Sequence, residues 1–80
     1  MMDELSFVLH EIVTLVRLYG EQCGDSTTAA RCTSIVAHIR ALTSDDVAFV
    51  RRVCDAVVPR DTTDEIYRLE VIDALDARCE

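Results

Sequence analysis

The chain has 80 residues, half of them apolar, and a formal net charge of −7 at neutral pH. That length allows one domain with a small core, and the apolar supply argues against disorder. All 8 basic residues are arginine, so lysine Schiff-base chemistry and a P-loop lysine are excluded, and the acidic balance disfavours both nucleic-acid phosphates and anionic membranes.

The first predicted helix spans about 3–19. Leu5, Val8, Ile12, Leu15 and Tyr19 step by three and four residues, and Leu9, Val13 and Val16 widen the stripe. Gly20 is the expected stop, because glycine takes the left-handed terminating conformation without strain. The second helix is expected over about 26–42, capped by Asp25 or Ser26, with Cys32, Ile35, Val36, Ile39 and Leu42 inward.

The third is expected over about 45–58. Thr43 or Ser44 starts it, and Asp45 and Asp46 favour the positive end of its dipole. Val47, Val50, Val53, Cys54, Val57 and Val58 form its apolar side, Arg51 and Asp55 can pair one turn apart, and Pro59 ends it. The fourth is expected over about 63–78, opening on a capping box between Thr62 and Glu65. Short connections between such helices imply an all-α domain, a four-helix bundle with antiparallel or orthogonal packing.

Pointed chemistry is sparse. Cys23, Cys32, Cys54 and Cys79 show no C-x-x-C spacing, so no zinc or thioredoxin-type site is expected, and whether any two form a disulfide is open. Cys32, Cys54 and Cys79 fall on apolar stripes and read as small core residues. Cys23 is the reachable thiol, with acidic neighbours that blunt it. His10 and His38 lie on wet faces of different helices and read as ordinary solvated side chains. The carboxylates match no EF-hand pattern, and two glycines make no phosphate loop. The expectation is a non-enzyme, with no cofactor and no metal.

The anomalies lie elsewhere. Phe7 and Leu18 sit off the main stripe of helix 1, on a line with Glu11 and Thr14. In helix 4, Tyr67, Val71, Ile72, Leu75 and Cys79 share one face while Ile66 and Leu69 point the other way. Leu69, Asp73, Asp76 and Glu80 follow one line, with Glu65 near it. Two-sided helices in so short a chain point to an interface. The expected contact residues are Phe7, Leu18, Ile66, Tyr67 and Leu69 as apolar anchors, with Arg68, Asp73 and Asp76 at the rim.

Arg68 interrupts the oily side of helix 4. Asp64, four residues earlier, is the expected partner within the chain, and an acid on a partner helix is the alternative.

The stretch FVRRVCDAVVP, 49–59, resembles the helix–Cys–Pro segment of saposin-like domains. The likeness covers about a dozen residues, and that family's paired N-terminal cysteines are missing. It implies a lipid-binding module with disulfides. A small thiol or redox protein is a further alternative. The reading that best fits the residues is an interaction module: an adaptor or assembly subunit that self-associates or docks on a protein partner, with no nucleic acid and no membrane. No apolar run approaches the ~20 residues of a membrane span. The N-terminal MMDEL is acidic where a secretory signal is basic, so cytoplasm or nucleus is the expected compartment.

Overall fold

Helical periodicity and turn chemistry produce four α-helices, and among the described residues there is no strand. They are α1 (Leu9–Gln22), α2 (Ser26–Ala37), α3 (Ser44–Ala56) and α4 (Thr62–Arg78). The structure is a computed structural model that describes residues 7–78. Helix α1 packs against each of the other three, most extensively against α2. Contacts between His10 and Tyr67 at one end, and Gln22 and Val58 at the other, run α1 and α4 antiparallel. Arg68 on Cys54 and Arg51 on Asp76 do the same for α3 and α4. The radius of gyration is 11.7 Å, about that of a compact chain of this length.

The core follows the stripes. Ile12, Leu15 and Val16 of α1 meet Cys32 and Ile35 of α2, Val50, Val53 and Cys54 of α3, and Val71 and Leu75 of α4. Fully burying an aliphatic side chain of this size contributes roughly 1.5–3 kcal/mol, which is why the 3–4 spacing outweighs the strand propensity of the α3 valines.

Several boundaries differ from expectation. Helix α1 runs past Gly20 to Gln22, and the Cys23 N–H still donates to the Tyr19 carbonyl at 2.9 Å. Gly20 is a packing glycine: a Cβ there would stand 3.3 Å from the Cβ of Cys32. The left-handed residue is Gly24, with φ +68°. The predicted start of helix 1, with Leu5, lies outside the described residues, as does Cys79.

Helix α2 stops at Ala37 instead of Leu42. The His38 N–H is shared between the carbonyls of Ser34 and Ile35, each at 3.1 Å, which tightens the last turn. Ile39 and Leu42 still pack on the core, but from the connection. At its start, the Asp25 carboxylate accepts the Thr28 N–H at 3.0 Å, as a cap should.

Helix α3 opens with a full capping box. The Thr43 hydroxyl accepts the Asp46 N–H, and Asp46 accepts the Thr43 N–H, both at 3.1 Å. It closes at Ala56, with Val57 extended and buried. Val58, expected inward, is exposed. Its backbone is instead held by Gln22, whose amide donates to the Val58 carbonyl at 2.8 Å and accepts the Val58 N–H at 2.9 Å. That pairing ties the α3–α4 connection to the end of α1.

The box expected at Thr62 and Glu65 does not form. Asp61 takes the capping place by accepting the Asp64 N–H at 3.0 Å, and Glu65 turns to Arg68.

Candidate interaction surface

The acids of α4 divide into those held by arginine and those left to solvent. Asp64 is 2% exposed. Its Oδ2 accepts the Arg60 backbone N–H at 2.9 Å and Nε at 2.8 Å, and its Oδ1 accepts Nη2 at 3.1 Å. These bonds, the guanidinium's first, hold its carboxyl below the ordinary range. A buried carboxylate without such donors would be strongly destabilising.

Because Arg60 occupies Asp64, the expected Asp64–Arg68 pair is replaced. Arg68 forms a fork with Glu65, Nε to Oε1 at 3.0 Å and Nη2 to Oε2 at 2.8 Å. Its Nη1 donates to the Cys54 carbonyl at 3.3 Å, near the C-terminal end of α3. Arg68 therefore faces its own chain. The Arg68 hydrogen bond, above all, draws the Glu65 carboxyl downward.

Asp76 is bonded by Arg51. Arg51 also approaches Asp55, as expected, with Nε at 3.7 Å, a distance for charge attraction and too long for a hydrogen bond. The same Nε is buried without a hydrogen-bond acceptor.

Glu70 and Asp73 are exposed, and among the described residues neither enters an ion pair. On that same outward side stand Ile66, 49% exposed, and Leu69, 53% exposed. They are three residues apart, so their side chains are neighbours on the helix surface. Phe7, 73% exposed, lies just before α1. Large apolar side chains exposed around unpaired acids are a surface of a definite kind: greasy ridge, negative border.

Two of the expected anchors are not free. Leu18 is 6% exposed and belongs to the core. It joins the core cluster once the helices pack, which isolated periodicity does not reveal. Tyr67 is half-buried in the α1–α4 seam, its ring edge-on to His10 with centroids 5.7 Å apart, and its hydroxyl 3.3 Å from His10 Nε2. His10 thus has a partner that the wet-face reading missed. The i, i+3, i+4 pattern of one helix carried no signal for this contact, since the two residues are 57 positions apart.

Sequence reasoning also missed a cleft of about 650 Å³ between α3 and α4. It is lined by Val47, Ala48, Leu75, Arg51, Arg52 and Asp76, with Ser44 at its edge. Its walls come from two helices, so no pattern within one segment signals it.

The thiols give little reactive chemistry. Cys23, Cys32 and Cys54 are free thiols. Burial, helped by Asp55, pushes Cys54 up to about 11, and burial followed by the influence of Cys23 raises Cys32. Both are therefore protonated and unreactive at neutral pH. Among the described residues no group of three or more potential ligands could hold a metal ion, and no helix is long and apolar enough to cross a membrane.

Compared with known protein families, curated proteins and solved structures, the chain matches none.

Proposed function

We propose that the chain is a non-enzymatic docking module, an adaptor or assembly subunit, whose outward α4 face receives a basic amphipathic helix of another protein. The observation that carries this reading is the division of acids on α4. Asp64, Glu65 and Asp76 each have an arginine, while among the described residues Glu70 and Asp73, beside the exposed Ile66 and Leu69, enter no ion pair. An apolar strip entering that ridge would be buried at its centre, and arginine or lysine at its margins would meet the unpaired acids.

Charge also favours a heterologous partner over a second copy. Each copy carries a net −7, and joining two such faces brings like charges together, which is unfavourable. Leu18, Tyr67, Arg68 and Asp76 contribute by shaping and supporting the face from within the chain.

Fluorescence anisotropy with a labelled helical peptide, leucines on one face and arginines flanking them, tests the proposal. Binding is expected to weaken by about tenfold or more in an Ile66→Ser/Leu69→Ser variant and to fall with added salt. Equal binding of a peptide with glutamates in place of the arginines would remove the reading. Light scattering run alongside separates the rival: a stable dimer broken by the same two substitutions would assign this face to self-association instead.

A further inference from the structure

One stripe of α3 walls the cleft between α3 and α4. Ser44, Val47, Ala48 and Arg51 recur at i, i+3, i+4 and i+7, and Arg52 stands beside Arg51 at one end. Leu75 and Asp76 close the other side from α4. The side chains of Ser44 and Ala48 are short, which leaves the trough open. Its volume of about 650 Å³ and mostly apolar lining match small-molecule sites, which run roughly 300–1,000 Å³.

The charges at its end are unevenly satisfied. Arg51 donates through Nη1 to Asp76 and stands 3.7 Å from Asp55, so its charge is already answered within the chain. Arg52 is exposed, and among the described residues it enters no ion pair. An apolar trough thus ends on one uncompensated guanidinium. We infer that the α3–α4 cleft binds an aliphatic monocarboxylate, its hydrocarbon chain along Val47, Ala48 and Leu75 and its carboxylate on Arg52.

Charge and length select that class. A guanidinium and a carboxylate match as a two-pronged pair. One negative charge suits one free cation. A phosphate monoester would bring excess negative charge close to Asp76 and Asp55, in a chain of net −7. A rise of about 1.5 Å per residue puts Ser44 about 12 Å from Arg52 along α3. An extended carboxylic acid of about eight carbons has that reach. The site is built on α3 and on Leu75 and Asp76, so it does not depend on the ridge of Ile66 and Leu69.

The test is an NMR titration of the unmodified chain with sodium octanoate, alongside octanamide as the neutral counterpart and octyl phosphate as the more highly charged one. Octanoate is expected to saturate with a millimolar or tighter dissociation constant, moving the backbone amide signals of Val47, Ala48, Arg52 and Leu75. Octanamide and octyl phosphate are expected to bind several-fold more weakly. Arg52→Gln should weaken octanoate by about tenfold and leave octanamide unchanged. Ala48→Phe, at an exposed position, should fill the trough and abolish binding of both. Absence of saturable shifts, shifts centred on Ile66 and Leu69, octanamide binding as tightly as octanoate, or tighter binding of octyl phosphate would each overturn the inference. Thermal melting checks that the variants fold. Should one fail, the three ligands on the unmodified chain decide alone.

Discussion

Arg60 grips Asp64 through its side chain and its own backbone N–H, at 2.8 to 3.1 Å, and thereby sets the entry to α4. Three donors converge on a carboxylate that solvent scarcely reaches. The arrangement fixes the turn after Pro59 and releases Arg68 to bond Glu65 and the end of α3.

Asp64→Asn is therefore expected to lower the melting temperature at neutral pH by several degrees. The carboxyl is depressed in the folded state, so its contribution is present above the unfolded carboxylate range and vanishes as the pH falls through its folded value. Acid unfolding followed by circular dichroism should show a shallower loss below about pH 4 in the variant than in the unmodified chain. An identical acid limb in both would contradict this role.

The two glycines should separate cleanly. Gly20→Ala gains helix propensity of up to about 1 kcal/mol, but overpacking typically costs about 1–3 kcal/mol. Its new Cβ meets another Cβ at 3.3 Å, an atom that no rotamer change can move. The expected net effect is a loss of about 1 kcal/mol. Gly24→Ala should also lose about 1 kcal/mol, through its left-handed backbone alone, since nothing lies within 4 Å of the added carbon. Asparagine tolerates that backbone, so Gly24→Asn should recover much of the loss while Gly20→Asn should not. Urea denaturation measures all four, and the reverse ordering would move the left-handed turn to Gly20.

The helix caps offer a third check. Thr43→Ala breaks a full capping box and should cost about 1 kcal/mol. Thr62→Ala should change stability by less than about 0.5 kcal/mol, as befits an exposed side chain outside the cap. Asp61→Ala should resemble Thr43→Ala, because the Asp64 N–H loses its acceptor. Midpoint shifts in urea distinguish the three. A large loss at Thr62 with none at Asp61 would restore the expected box.

Much of the fold was legible because helix formation here is a local matter. The stripe of Ile12, Leu15 and Val16, the Asp25 cap, the Thr43 start, the inward Cys32 and Cys54, and the stop before Pro59 all depend on neighbours within a turn or two. The candidate surface was half legible. Ile66 and Leu69 oppose the oily face of α4 and are exposed, and Phe7 is exposed as expected. Leu18 looks equivalent by periodicity, yet the approach of the other helices buries it.

What the sequence determined by itself is an acidic, lysine-free, all-α chain of four helices with their inward stripes, since these follow from spacing, capping residues and side-chain chemistry. The tertiary structure alone decided which groups meet. Arg60 took Asp64 before Arg68 could, Gly20 became a crossing point, and His10 met Tyr67. The physical reason is that a helix sets the angle of each side chain about its own axis, whereas partners on another helix depend on how the rods are oriented and offset. Periodicity within one segment contains no term for that offset, so the pairings emerge only when the whole core packs.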